Sequence, residues 1–241
     1  MGVSWSALWP FRFLLSRAMA SRLMALALLA SPVAAQETPV TVELVLALDS
    51  SASVDANEFA LQIEGLARAF AHPDVQRAVE DLRPLGAAVA VIQWGAPGET
   101  RVVLPFTHLE TSRDSKAFGF RIGLARRWMW ASATSIATAI TDGAALIEGN
   151  EFDGFRKIID ISGDGEDNAG AGLESARQAA KARGIVINGL PIMADSPDLD
   201  RYYQTYVIIG LDSFIEPARD FDDYVRAIRE KLLKELRPVA S

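Results

Sequence analysis

The sequence predicts an α/β fold: a doubly wound, mostly parallel six-stranded sheet with one antiparallel edge strand and helices on both faces. Two observations carry this expectation. Short apolar runs of strand length alternate from end to end with segments of helical period, the pattern of strands joined by crossover helices. The first run, residues 42–48 (V-E-L-V-L-A-L), has apolar residues at odd and even positions alike, as in a strand buried on both faces.

The elements follow in order. Beyond the first strand, Phe59, Ile63, Leu66 and Phe70 recur at helical spacing, and Asp55 with Glu58 opens that helix as a capping box. Pro73 interrupts, and residues 75–82 suit a second short helix. Residues 86–94 (G-A-A-V-A-V-I-Q-W) read as a buried strand, 95–98 (G-A-P-G) as a turn, and 100–106 as a strand returning antiparallel at the edge. Thr111 and Ser112 cap a helix carrying Phe118, Ile122, Ala125 and Met129, and a polar loop over 131–135 leads to a helix with Ile136, Ile140 and Ile147 on one face. A strand over 156–162 runs into the loop 163–168 (G-D-G-E-D-N), and an alanine-rich helix over 173–183 closes at Gly184. A strand over 185–190, a short helix over 198–204, a last strand over 206–211 and an amphipathic helix over 217–236, opened by Pro217, complete the chain.

Residues 1–35 stand apart. They hold Arg12, Arg17 and Arg22, no acidic residue, an apolar run over 23–29, and the small residues Val33-Ala34-Ala35 at the end. This is the pattern of a signal peptide cleaved after Ala35, with Met19 as an alternative start. An uncleaved anchor is disfavoured, because the apolar run is shorter than the ~20 residues a span needs. Residues 36–241 then form one domain with no stable membrane span, in the periplasm or secreted. With 24 Lys+Arg against 31 Asp+Glu before three arginines are removed, the remainder is acidic and a poor candidate for nucleic acid. There is no cysteine, so thiolate metal sites and thiol chemistry are excluded.

The chemistry concentrates where the first strand ends. Asp49, Ser51 and Ser53 present oxygen-bearing side chains at alternate positions of a short loop (D-S-S-A-S). Ligands of an open parallel sheet bind beyond the carboxyl ends of its strands, and Asp164 follows another strand, so both aspartates belong on one rim. Thr134, in a loop leading into a helix, can approach the same rim. Two carboxylates and three hydroxyls with no His, Cys or Lys select Mg²⁺ or Mn²⁺ over softer metals.

These motifs resemble the von Willebrand factor type A superfamily and its metal-ion-dependent adhesion site, D-x-S-x-S followed by a threonine and then an aspartate. Asp49-Ser50-Ser51-Ala52-Ser53 matches the first element, Thr134 with Thr138-Ala139-Ile140 the second, and Ser162-Gly163-Asp164-Gly165 the third. Ala139 stands where relatives often have glycine, and Gly163 where many have threonine. The chain is similar to a group of small exported bacterial proteins of this superfamily whose function is unknown. The resemblance implies a Rossmann-like sheet, a metal touched directly by Ser51, Ser53 and one of Thr134 or Asp164, and Asp49 acting through water. It also implies an open coordination position for an acidic side chain of a protein partner.

The expected function is therefore a non-enzymatic binding module. A metal-dependent hydrolase of phosphate esters is the alternative from another class, since an acidic Mg²⁺ site can activate water, but the three loops carry no Lys, Arg or His to steady a phosphoryl group. A scaffold of the same fold that never loads metal is the third reading. His72 and His108 read as surface residues in loops, Asp167 and Asn168 as solvated loop residues, and Trp128, Trp130, Tyr202, Tyr203 and Tyr206 as core or rim packing. Asp160, inside an apolar strand, is expected to hydrogen-bond a neighbouring segment.

Overall fold

The computed structural model describes residues 37–128, 133–170 and 172–238, and in it the doubly apolar run becomes the middle strand of the sheet. The expected signal peptide lies outside the described residues. Strand β1 (Thr38–Asp49) is flanked in parallel by β2 (Ala87–Trp94) and β4 (Phe152–Gly163). Beyond β2 lies β3 (Thr100–Leu109), antiparallel, and beyond β4 lies β5 (Ile185–Pro191), parallel. The strand order is therefore β3-β2-β1-β4-β5.

Alternate residues of β1 feed two separate cores. Val42, Leu44, Leu46 and Leu48 pack under α1 (Ala56–Ala71), α2 (Pro73–Glu80), α3 (Ser112–Gly123) and α7 (Tyr224–Glu235), with Leu66, Phe70, Phe118, Ile228 and Leu232. Val45 and Ala47 face α4 (Ile136–Glu148) and the later helices, against Ile140, Ile147, Ile161 and Tyr203. Each such side chain, fully withdrawn from water, contributes roughly 1.5–3 kcal/mol. Two-sided burial also fixes the register, since a one-residue slip would exchange the two cores. Glu43 is the exception within β1. It is fully buried, and Asn150 and the Gly154 N–H donate to its carboxylate.

The expected helix starts hold where a side chain caps them. Asp55 and Glu58 form the capping box of α1, and Thr111 with Asp114 forms that of α3. Between α1 and α2, His72 accepts from the Asp74 N–H as the cap of α2, while His108 lies in β3 rather than a loop and meets the Leu85 carbonyl. In β3, Pro105 falls where the register with β2 shifts, a bulge on an edge strand, where a missing donor is tolerated.

Three elements depart from expectation. Residues 206–211 are not a strand, so among the described residues the sheet has five strands rather than six. After α6 (Leu199–Tyr202) the chain forms a π-helical turn, Tyr203–Val207, and then makes isolated bridges from Ile209 and Ile215 to β5 and from Ala218 to Ile192 just beyond it. Positive φ at Gly210 and Asp212 keeps the intervening residues from running extended. The last helix begins at Tyr224, not Pro217, because the Ala218 N–H is committed to the Pro191 carbonyl and the Asp223 carboxylate draws back the Arg219 N–H. Helix α3 stops at Gly123, since the buried Gln93 side chain donates to the Arg126 carbonyl and accepts from the Trp128 N–H, pulling that segment off the helix. Met129 and Trp130 lie outside the described residues.

Candidate metal centre

The order of the sheet places two strand ends side by side. Leu48 of β1 pairs with Ser162 of β4, so Asp49 and the Gly163-Asp164 corner emerge together at the crest. To the left and right of this point the connections run in opposite directions, the crevice where doubly wound sheets bind ligands.

Three of the five expected oxygens, those of Ser51, Ser53 and Asp164, form one continuous chain, and Asp49 joins it through the Ser51 backbone N–H. Asp49 is fully buried, and its Oδ1 accepts from the Ser51 N–H at 2.7 Å. The Ser51 and Ser53 hydroxyls are 3.1 Å apart, and Ser53 Oγ donates to Asp164 Oδ1 at 2.7 Å. Neighbouring oxygens around an octahedral ion with bonds of ~2.0–2.1 Å sit about 2.9 Å from one another. The spacings 3.1 and 2.7 Å bracket that value, so the hydroxyl protons could give way to a cation with little movement of the oxygens.

The buried polar groups also fit a cation. Asp49 Oδ2 is buried without a hydrogen-bond partner among the described residues. Burial chiefly, with the nearby Asp164 charge adding, pushes the Asp49 carboxyl up to about 7 against the opposing pull of Ser51. Asp164 is raised too, by burial and by Asp195, while Ser53 opposes. Two withdrawn carboxylates that destabilise each other's charged form are an arrangement that a divalent ion relieves. Among the described residues no three His, Cys, Asp or Glu side chains gather in metal-holding range, so hydroxyls must supply the rest of any coordination shell.

Thr134 is brought to the same corner by its backbone. Its N–H donates to Asn168 Oδ1 at 2.9 Å and its carbonyl accepts from the Asn168 N–H at 3.0 Å. The Thr134 hydroxyl lies 3.9 Å from where a Cβ on Gly165 would stand, beside Asp164 in the chain. Asp167 secures the adjoining helix, accepting from the Ala137 N–H, and its own N–H donates to the Tyr202 hydroxyl. Asp167, half-buried, and Asn168, exposed, are thus loop residues open to solvent as expected that also position the Thr134 loop.

Sequence reasoning missed Arg127 as a support and read Tyr203 as packing alone. Arg127, more than seventy residues away in the chain, donates to the Val54, Ser50 and Ser51 carbonyls at 2.6, 3.0 and 2.8 Å and so fixes the D-x-S-x-S loop. Tyr203, fully buried, lies against both Gly163 and Gly189. A Cβ on Gly163 would stand 2.8 Å from Asp49 Oδ2 and 2.8 Å from the Tyr203 hydroxyl, so the position has no room for a side chain. Gly163→Thr is expected to cost about 1–3 kcal/mol by overpacking and, through a displaced Asp49, to weaken the hold on any divalent ion there. Thermal melts and titration calorimetry of the variant check both.

The remaining aromatics serve packing or lie at the surface. Tyr206 and Trp128 are exposed, the latter under the Arg101 guanidinium at 4.2 Å. No helix among the described residues is long and apolar enough to cross a membrane.

Comparison with solved structures places this geometry among known folds. Proximal thread matrix protein 1 from the mussel byssus, in a form with a zinc-occupied MIDAS motif, superposes with a TM-score of 0.58 at 17% identity, covering 83% of this chain and 48% of that one. The von Willebrand factor type A protein of Catenulispora acidiphila gives 0.56 at 18% identity over 82% of this chain and 43% of that one. The vWF domain of the pilus tip protein Mfa5 from Porphyromonas gingivalis gives 0.56 at 9% identity, covering 84% and 98%. The chain thus spans about half the length of the byssus protein. Comparison with the curated proteins gives no match. The model of the family described as "Protein of unknown function (DUF1194)" matches residues 39–240, and the chain belongs to that family, with the fold of a von Willebrand factor type A domain.

Proposed function

We propose that this protein is an exported, non-enzymatic binding module that holds Mg²⁺ or Mn²⁺ at Asp49, Ser51, Ser53, Thr134 and Asp164 and uses the ion to grip an acidic group of a protein partner. The observation that carries the reading is the run of oxygens from Ser51 through Ser53 to Asp164, with the buried, unpartnered Asp49 Oδ2 beside it in the same loop. Hydroxyls rather than carboxylates dominate the set, so a bound divalent ion keeps enough positive charge to attract an external carboxylate. The zinc-occupied MIDAS motif of the byssus protein supports a divalent ion at a site of this type. When bound, the ion supplies the positive charge, while Arg127, Asn168 and Asp167 hold the loops that shape its cradle.

The hydrolase alternative needs a cation free to face a phosphoryl group. Arg127 stands at the first loop, but its guanidinium is turned into three backbone carbonyls. Titration calorimetry and thermal melts with Mg²⁺ test the metal, and capture of envelope proteins with Mg²⁺ and again with chelator tests the partner. At a concentration 100-fold above its Kd, Mg²⁺ is expected to add about 2.7 kcal/mol of stability, a Tm rise of about 5–10 °C for a chain of this size. Absent heat and an unmoved Tm leave the metal-free scaffold; chelator-sensitive turnover of p-nitrophenyl phosphate establishes the hydrolase instead.

A further inference from the structure

An apolar groove of about 830 Å³ runs between α1 and α3, within the size range of ligand sites. The two helices are antiparallel. Ser115 near the start of α3 donates to the Phe70 carbonyl near the end of α1, while Arg127 beyond α3 donates to the Val54 carbonyl just before α1. The groove therefore follows α1 for most of its sixteen residues, about 24 Å at 1.5 Å per residue. One end lies beside the crest and the other points away from it.

Its surface is built to be covered. Ala60, Ile63, Ala67 and Gly119 line it, and Phe120 and Leu124, spaced four apart, lie on the same wall with 70% and 65% of their surfaces exposed. They are two of the seven large hydrophobic residues so exposed among the described residues. The charges at the rim are equally uneven. Arg68 pairs with Glu64 and Arg127 is turned into the loop carbonyls, which leaves Lys116 and Arg126 as the outward cations of the lining, in a chain whose net charge is −7. Exposed Lys116 lies toward the far end and exposed Arg126 toward the crest, so the apolar floor has a cation at each pole.

That distribution selects the occupant. A fatty acid carries one anionic end and would leave one pole unmatched. Residues 1–35 carry Arg12, Arg17 and Arg22 and no acid, the wrong sign for this rim. An amphipathic helix with an apolar stripe and acidic residues near both ends matches the floor and both poles, the helix-in-groove mode of recognition. We propose that the α1/α3 groove is a docking site for such an acidic amphipathic helix of a protein partner, a contact separate from the metal and independent of whether the metal reading holds.

The test is a selection of random displayed peptides about 16 residues long, enough to span ~24 Å as a helix, against the purified protein, followed by fluorescence anisotropy of the winners. Enriched sequences are expected to place apolar residues at i, i+3, i+4 and i+7 with Asp or Glu toward both ends. Phe120→Asp and Leu124→Asp should each weaken the winning peptide about tenfold or more. Lys116→Glu and Arg126→Glu should weaken it too and favour a peptide with its acids changed to lysine. All four positions are exposed, and melts confirm that the variants stay folded. Chelator should leave the affinity unchanged. Winners that are basic or uncharged, equal binding by Phe120→Asp, affinity that vanishes with chelator, displacement by a fatty acid alone, or self-association abolished by Phe120→Asp would each overturn the assignment.

Discussion

Asp49→Ala and Asp49→Asn are expected to remain folded and to lose the Mg²⁺-dependent rise in Tm completely. The carboxylate is fully buried, its Oδ2 has no partner among the described residues, and burial drives its carboxyl up to about 7. An orphaned buried polar atom costs about 1–3 kcal/mol, so removing the group relieves a strain that offsets the lost bond from the Ser51 N–H. Asparagine keeps an acceptor for that N–H and leaves the loop in place, which separates loss of charge from loss of shape. Titration calorimetry on both variants is the measurement. Mg²⁺ heat retained by either one contradicts the assignment of this crest as the metal site.

Lys231→Met should be the most destabilising single change outside the crest. Lys231 Nζ lies 3.0 Å from Asp160 Oδ1 and 2.7 Å from Glu235 Oε1, all three side chains fully buried, with Asn188 donating to the same Glu235 oxygen at 2.8 Å and the ammonium 4.8 Å from the Phe214 ring centre. Removing the one cation leaves two carboxyls in the core, a loss of about 3–5 kcal/mol, or about 6–20 °C in Tm. The pH dependence has a definite sign. Burial already raises Asp160 to about 7 although Lys231 opposes it and Glu235 adds to it. Without the lysine Asp160 keeps its proton to still higher pH, whereas parent and variant alike hold it at lower pH, so the extra penalty grows as pH rises above about 7. Chemical denaturation at pH 5 and pH 8 should give the larger deficit at pH 8, and adding Asp160→Asn should recover part of it. Equal deficits at both pH values would remove the buried ion cluster from the explanation.

What the sequence disclosed was what depends on near neighbours. Strand β1, the capping boxes at Asp55 and Thr111 and the D-x-S-x-S loop are each local patterns whose chemistry repeats within a few residues. What it concealed depends on partners far along the chain. Residues 206–211 look like a strand by composition, but Gly210 and Asp212 adopt positive φ and the segment meets β5 only at single points. Pro217 is a good first residue for a helix, and the sheet edge claims its neighbour Ala218 first. Arg127 sits outside every motif, and only folding brings its guanidinium to the Ser50, Ser51 and Val54 carbonyls. Asp160 signalled a buried partner by being charged in an apolar strand, yet nothing in the periodicity of α7 singled out Lys231 as that partner.

The two borders of the sheet limit how another polypeptide can attach. Along β5, residues Ile209, Phe214 and Ala218 already occupy backbone donors or acceptors, and along β3 the bulge at Pro105 interrupts the ladder. A visiting chain therefore meets an edge already taken at β5 and one broken at Pro105 in β3, which disfavours recognition by strand addition. The same blunted borders guard the protein against stacking edge to edge into fibrils.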